Sequence, residues 1–274
     1  MDLMFFCPRW GSENLDYETF FIKAKKAGYD GVEFSLPSDG SEKEQIRLYL
    51  KKHNLKYIAQ HWETNTSHFE QHKNEYRQRL INLTDSDALF INAHTGKDFF
   101  SFEQNSVLIQ IAKEISAKYG IKIVHETHRG RFSFAAHITT QFLRKIPDMN
   151  LALDLSHWCN VAESYLEDQE EAVQLAIERT AHVHARIGFP EGPQIPDPRA
   201  PEWKDALDIH TAWWKKVALY KKQKGEKIMT ITPEFGPYPY MQILPHSKQP
   251  ISNQWDINVY IMNHLKNELA EFTT

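Results

Sequence analysis

The feature that most constrains the fold of this chain is an alternation of short apolar segments with longer amphipathic ones, repeated eight times. The short segments are rich in β-branched and aromatic residues, which is typical of strands. Strands that alternate with helices form βαβ crossovers and therefore a parallel sheet. The predicted strands cover residues 3–7, 31–35, 55–61, 88–94, 121–126, 150–154, 181–184 and 228–234.

Polar residues and glycines mark the ends of the helices between these strands. Ser41 with Glu44 and Ser101 with Gln104 have the spacing of capping boxes, in which each partner bonds to the backbone of the other. Left-handed C-terminal caps are predicted at Gly28, Gly120 and Gly225.

Eight strand–helix units fit a closed (β/α)8 barrel, the TIM barrel, better than an open sheet, and we expect one domain over residues 1–274. No glycine-rich phosphate loop follows a strand, which argues against a dinucleotide-binding sheet. The longest helix is predicted over 203–224 and the last over 253–269. Long proline-rich loops at 187–202 and 235–250 follow the last two strands, where barrels build lids and substrate contacts.

The composition of the chain limits which binding partners and which cellular compartment we expect. A net charge of −4 offers no basic surface for nucleic acid, so we expect no nucleic-acid partner. No segment approaches the roughly 20 apolar residues of a membrane span. The first residues lack the basic start and long apolar region of a signal peptide. The only two cysteines, Cys7 and Cys159, suit a reducing compartment, and we expect a cytoplasmic protein.

Four predicted strands end in a polar side chain that a buried strand does not need. The segments IKIVHETH, LALDLSH, AHVHAR and MTITPEFG present Glu126, Asp154, His184 and Glu234. Barrel active sites lie at the carboxyl ends of the strands, where these residues would meet. Buried carboxylates that converge repel each other and lose hydration, and a divalent cation removes both costs. Each residue alone fits a solvated loop or an ion pair, but the combination predicts one bound divalent metal ion.

The chemistry of the four side chains indicates which metals are compatible. Three carboxylates with one imidazole suit Mn²⁺, Mg²⁺, Co²⁺ or Fe²⁺ better than a structural zinc site, which prefers thiolates and histidines, although Zn²⁺ remains compatible.

Four short motifs also resemble a known superfamily. HETHRGR after the fifth strand, D-x-x-H after the sixth, H-V-H on the seventh and P-E-F-G on the eighth are similar to the xylose isomerase-like TIM barrels. That group contains sugar isomerases, ketose 3-epimerases, inosose dehydratases and metal-dependent apurinic-site endonucleases, and the resemblance extends over nearly the whole chain. It implies that the same four residues match the metal ligands of the ketose 3-epimerases and that His157 matches a substrate-contacting histidine.

Other residues at strand ends are candidates for binding a sugar. Glu33 lies on the second strand, where many members carry a glutamate, and it equally fits an anchor for a neighbouring histidine or arginine. His61 and His94 end the third and fourth strands, and the endonucleases bind extra zinc ions with histidines at those places. Here we favour hydrogen bonds to substrate, because the D-x-H pair that those endonucleases need after the seventh strand is absent.

Two arginines and a set of aromatic residues complete the candidates. Arg186 and Arg199 are both able to bind a substrate hydroxyl, carboxylate or phosphate, but the epimerase arginine lies a few residues beyond Arg186, and Arg199 fits an ion pair with Asp197 as well. His182 is expected to support the core rather than bind metal. Aromatic residues near the barrel mouth fit a sugar pocket, lid packing or a subunit contact equally: Trp10, Trp62, Trp158, Phe189, Tyr238 and Tyr240.

Together these features predict a divalent-metal-dependent sugar isomerase or epimerase that acts on a small ketose or related polyol carbonyl compound. Glu126 and Glu234 are expected to move a proton through a cis-enediolate, while the metal acts as a Lewis acid. An inosose-type dehydratase, a less favoured apurinic-site endonuclease and a non-catalytic sugar-binding barrel are the alternatives. The sugar and its phosphorylation stay open, as does a homo-oligomer built on aromatic residues of the helix at 203–224.

Overall fold

Eight parallel strands close into a barrel in the computed structural model, which describes residues 1–273. Each strand pairs with the next one in the chain, and the eighth pairs with the first. At least one helix follows every strand, as the alternation in the sequence predicted. The strands are β1 (Asp2–Pro8), β2 (Gly31–Phe34), β3 (Lys56–His61), β4 (Ile91–Ala93), β5 (Ile123–Glu126), β6 (Leu151–Leu153), β7 (Thr180–Ala185) and β8 (Ile228–Pro233).

The helices form the outer layer of the barrel. They are α1 (Tyr17–Ala27), α2 (Gly40–Lys52), α3 (Phe69–Thr84), α4 (Phe102–Tyr119), α5 (Ala136–Lys145), α6 (Ser156–Ala162), α7 (Glu170–Glu178), α8 (Lys204–Gln223) and α9 (Gln254–Glu268). The two helices predicted near the C-terminus correspond to α8 and α9. Within the described residues, no helix combines the length and apolar character that crossing a membrane requires.

A small apolar cluster fills the inside of the barrel. It consists of Phe6, Ile58, Phe90, Val124 and Ala152, and it is separate from the larger core between strands and helices. Successive side chains on a strand point to opposite faces, so residues two apart share a face. Val124 and Ala152 stand two residues before the carboxylates that end β5 and follow β6. The same strand face therefore carries a packed layer and, above it, the polar site.

Helix caps agree with the sequence at most positions. Ser101 and Gln104 form the predicted capping box at the start of α4. The box predicted for Ser41 and Glu44 is wrong, because α2 begins earlier and Asp39 is its N-cap, while Ser41 donates a hydrogen bond to Asp39. The segment offers two capping residues, and the earlier one is used. The three predicted glycine caps have positive φ: Gly28 at 92°, Gly120 at 68° and Gly225 at 70°.

Ser101→Ala is expected to lower the free energy of unfolding by about 1 kcal/mol, because it removes the acceptor that satisfies a backbone N–H at the start of α4. Guanidinium chloride unfolding measures the change. Ser41→Ala is the matched control, since that hydroxyl does not cap its helix. Equal losses in the two variants would contradict the assignment of the capping box.

The two long loops lie together at the carboxyl end of the barrel. One connects β7 to α8 and the other connects β8 to α9. The Gln194 side chain joins them, because its Nε2 donates to the carbonyl of Gly236 at 3.2 Å and its Oε1 accepts from the N–H of Gly236 at 2.7 Å. This link between the loops fixes one side of the barrel mouth.

Candidate active site

The four residues predicted at strand ends come together in one buried cluster. Glu126 is the last residue of β5, Asp154 follows β6, His184 lies on β7 and Glu234 follows β8. One nitrogen or oxygen atom from each lies within 4.8 Å of the corresponding atoms of the others. All four side chains are buried. The closed barrel therefore brings residues from four consecutive strands to the same point.

The imidazole of His184 lies between three carboxylates. Its Nδ1 is 3.0 Å from Glu234 Oε2 and 3.4 Å from Glu126 Oε2, and its Nε2 is 3.0 Å from Glu33 Oε1. Within residues 1–273, Nδ1 of His184 and Oε1 of Glu126 are buried without a partner in hydrogen-bond geometry. Buried polar atoms are rarely left unpaired. After loss of the proton from His184 Nδ1, its lone pair and those of Glu126 would fit a cation between them.

The carboxyl groups of the cluster differ in how readily they lose their proton. Burial raises the pKa of Asp154 to about 6, although Arg186 opposes the shift. Burial also disfavours the charged form of Glu126, but His94 and His184 outweigh it and hold the pKa of Glu126 well below its usual range. A cation beside the two groups would favour the ionised form of both.

Arg186 supplies a positive charge inside the cluster. His184 supplies another, because, although burial opposes the shift, Glu234, Glu33 and Glu126 raise its pKa well above its usual value. The Nε of Arg186 donates to Asp154 Oδ2 at 3.1 Å, and its Nη2 donates to Glu234 Oε2 through a very short contact. Burial opposes its charge, but Asp154 and Glu234 raise the pKa of Arg186 above its usual value. Its Nη1 is buried without a partner among the described residues, so this atom is the donor available to a substrate oxygen.

Glu33 and His182 support His184 from within the barrel. Glu33 is 1% exposed, and its Oε2 lies 3.2 Å from His182 Nε2. His182 Nδ1 is bonded to Thr230 Oγ1 at 2.8 Å, and one ring nitrogen of His182 lies within 4.8 Å of possible ligand atoms of Glu33 and His184. Although burial opposes it, His184 and His182 hold the pKa of Glu33 below its usual range. Glu33 lies outside the cavity lining and is bonded to His184, which is the anchoring role weighed for it beside a substrate contact.

Asn92 belongs to the same network and was not anticipated. Its Nδ2 donates to Glu126 Oε2 at 2.7 Å and to Glu33 Oε1 at 3.0 Å. The signal was present in the sequence, because a polar amide inside the short apolar run before His94 has no reason to be buried unless it is bonded. Asn92 thereby links a carboxylate of the cluster to the carboxylate that orients His184.

Three histidine rings pack in series along one side of the cavity. The ring centroids of His94 and His128 are 4.4 Å apart, and those of His128 and His157 are 4.0 Å apart. Burial lowers the pKa of both His128 and His157 well below its usual value, so these rings are neutral at pH 7. Neither nitrogen of His157 has a hydrogen-bond partner within the described chain, but the ring is fully buried and lies outside the cavity lining. His128 was overlooked, although its place two residues after Glu126 put it at the same strand end.

The remaining predicted contacts divide into those inside and outside the cavity. Trp10 and His94 line it, whereas His61 does not. The His61 ring is buried and its Nε2 is bonded to Thr64 Oγ1 at 2.8 Å. Arg199 also lies outside the cavity lining and pairs with Asp197 through two hydrogen bonds, which is the alternative weighed for it.

Comparison with known proteins places this geometry among similar barrels. A family model described as xylose isomerase-like TIM barrel matches residues 21–187. No curated protein matches the chain. Solved structures with the same fold include a D-allulose 3-epimerase from Methylomonas sp., with 16% identity, a TM-score of 0.65 and coverage of 97% of this chain and 98% of the other.

Two further structures extend the range of chemistry found on this fold. A probable 3-DHS dehydratase from Bacillus anthracis has 14% identity, a TM-score of 0.59 and coverage of 97% of this chain and 99% of the other. A xylose isomerase-like TIM barrel protein from Mycobacterium smegmatis, in complex with magnesium, has 10% identity, a TM-score of 0.62 and coverage of 99% and 98%. At such identities the likeness establishes a shared fold.

Proposed function

This chain belongs to the xylose isomerase-like TIM barrel family, and we propose that it is a divalent-metal-dependent sugar isomerase or epimerase acting on a small ketose or related polyol carbonyl compound. The observation that carries the proposal is the convergence of His184 Nδ1 with oxygens of Glu126 and Glu234, close together but without hydrogen bonds between them. A purely structural cluster would be expected to pair His184 Nδ1 and Glu126 Oε1, which have no hydrogen-bond partner among the described residues.

Glu126, Asp154, His184 and Glu234 would hold the cation. Their oxygen-rich chemistry favours Mn²⁺, Mg²⁺, Co²⁺ or Fe²⁺, and Zn²⁺ is also compatible. When bound, the cation supplies Lewis-acid polarisation of the substrate carbonyl. The Nε2 side of His184 faces Glu33, and a carboxylate at that nitrogen is typical of metal-binding histidines.

The carboxylates of Glu126 and Glu234 would move the proton. Both line the cavity, so a C–H next to the substrate carbonyl can reach either of them. One carboxylate removes the proton to give a cis-enediolate, and the same or the other returns it. Return by the other carboxylate to the opposite face of the same carbon inverts that carbon, and return to the neighbouring carbon isomerises the sugar. Arg186 Nη1 would hold a hydroxyl or carbonyl oxygen during these steps.

Glu234→Gln is expected to remove most bound metal and to lower turnover by about 10²–10⁴-fold, because it deletes both a ligand charge and a proton acceptor. Emission spectroscopy measures metal per chain, and exchange of the substrate C–H with D₂O measures proton transfer on the four D-2-ketohexoses. Glu13→Gln is the control, since Glu13 lines the cavity but lies outside the cluster. Full retention of metal and exchange in Glu234→Gln would remove the proposal.

A dehydratase is the second candidate, supported by the fold shared with the B. anthracis protein. It would use the same proton abstraction next to a carbonyl and then expel a hydroxyl group. Mass spectrometry separates the two functions, because a dehydratase product has lost water whereas an isomer or epimer keeps the substrate mass. Cleavage of apurinic DNA is disfavoured by the net charge of −4, which offers no basic groove.

A further inference from the structure

The cavity above the four-residue cluster is larger than one sugar ring needs. Its volume is about 500 Å³, and sites for drug-sized ligands span roughly 300–1,000 Å³. Glu126, Glu234 and Arg186 line its inner part. Residues that end or follow β1, β2 and β3 line its outer part. Because the reacting groups lie in the inner part, the outer part is available to a portion of the substrate that does not react.

Aromatic side chains form much of this outer part. Trp62 directly follows β3 and is 51% exposed, and Phe34 ends β2. Trp10 follows β1 and packs edge-on against Tyr240, with ring centroids 5.0 Å apart. Gly236 permits this position of Trp10, because a Cβ there would come within 2.1 Å of its ring. Flat aromatic surfaces of this kind are suited to an uncharged ring with apolar faces.

The guanidinium group of Arg131 is hydrogen-bonded to the segment that carries Trp62. Its Nη1 donates to the carbonyl of Thr64 at 2.7 Å, and its Nη2 donates to the carbonyl of Trp62 at 2.9 Å and to Asn65 Oδ1 at 3.0 Å. An arginine that makes these bonds has few donors left for a phosphate. Its bonds also fix the segment that carries Trp62 before any ligand binds, which lowers the entropy cost of binding.

The other arginines of the cavity lining, Arg9 and Arg186, also contact groups of the protein. Arg9 Nη2 donates to the carbonyl of Leu15 at 3.0 Å, and its guanidinium lies 4.0 Å from the centroid of the Tyr17 ring. Arg186 is held by two carboxylates of the cluster, and the cavity lining contains no lysine. Glu13 adds a negative charge to the same lining. Arg9 Nε and Arg186 Nη1 are buried without a partner among the described residues, but a phosphate held by two nitrogens of Arg186 would displace one of its carboxylate contacts.

The remaining polar groups of the outer part are neutral. Ser35 and Asn65 line it with neutral side chains, which are bonded to Arg79 and Arg131 respectively. Gln60 lies deeper in the cavity, with its Nε2 3.4 Å from Glu234 Oε1. We propose, on the premise of the function proposed above, that the substrate is an uncharged glycoside or disaccharide. Its carbonyl-bearing unit binds beside the four-residue cluster. Its second ring lies against Trp62 in the outer part of the cavity.

A matched set of substrates tests this proposal. Each of the four D-2-ketohexoses is compared with its 6-phosphate and its 6-O-glucosyl derivative, using D₂O exchange on the manganese-loaded protein. The glucosyl derivative of the best ketose is expected to have a kcat/KM about tenfold or more above those of the free ketose and the phosphate, because only it places a second ring in the outer part.

Trp62→Ala is expected to lower the ratio of kcat/KM for the glucosyl derivative to that for the free ketose by about tenfold, mainly through KM. Trp62→Phe keeps an aromatic face and is expected to retain most of the ratio. Phe99→Ala is the control, because Phe99 is 62% exposed and lies outside the cavity lining.

The outcomes separate this proposal from the function on which it rests. A preference for the phosphates, or a Trp62→Ala ratio equal to that of the unaltered protein, overturns the two-ring substrate while exchange on the ketoses still supports the isomerase or epimerase. Absence of exchange on all the compounds, together with absence of bound manganese, removes the proposed function itself.

Discussion

Replacing Arg186 by methionine is expected to destabilise the metal-free protein by about 3–5 kcal/mol, the typical cost of breaking a buried ion pair by removing one partner. Arg186 is 2% exposed and bonded to both Asp154 and Glu234. Without it, two buried carboxylates lose their counter-charge, while methionine keeps much of the apolar stem. Guanidinium chloride unfolding of protein treated with a chelator measures the loss.

Manganese is expected to restore a large part of this stability, since a divalent cation supplies the charge that the variant lacks. A ligand that binds only the folded state stabilises it in proportion to the logarithm of its concentration over Kd. Lys43→Met is the control, because Lys43 is a buried cation bonded to Asp85 far from the cluster. The account fails if Arg186→Met is as stable as the unaltered protein without metal, or if manganese restores both variants equally.

The architecture and the four-residue cluster were predictable because both depend on local periodicity and one general rule of barrels. Alternating inward and outward positions put Glu126 on the face of Val124, and carboxyl strand ends meet at one rim. Strand lengths were less predictable. β4 and β6 are shorter than the predicted segments 88–94 and 150–154, and both end before the polar residue that follows them. After β6 the N–H of Asp154 donates to Thr127 Oγ1 rather than to a strand carbonyl.

The choice of partners within the site was not predictable from local pattern. Glu33 meets His184 across 151 positions of sequence, and no periodicity encodes that distance. His61 and His94 occupy equivalent strand ends, yet only His94 reaches the cavity. Thr64, three residues after His61, supplies a bond that holds the ring away from it. Such outcomes depend on loop geometry, which a sequence specifies weakly.

Glu33→Gln is expected to weaken manganese binding about 10–100-fold, the usual effect of losing the group that orients a metal-binding histidine. With a cation in the cluster, the Glu33 carboxylate at His184 Nε2 would keep the ring proton on that nitrogen and leave the lone pair of Nδ1, which faces Glu126 and Glu234, for the cation. Glutamine has nearly the same size, but it replaces one acceptor by a donor that opposes the N–H of His182 or His184.

Calorimetric titration with manganese measures this effect without reference to any sugar. Glu63→Gln is the matched control, because Glu63 is a partly buried glutamate bonded to Arg79 at 2.6 Å, outside the network of His184. Equal manganese affinities in Glu33→Gln and the unaltered protein would show that His184 keeps its orientation without the carboxylate. A loss of manganese affinity in Glu33→Gln but not in Glu63→Gln would show that Glu33, which lies outside the cavity, affects metal binding. It would do so by setting the tautomer of the His184 imidazole.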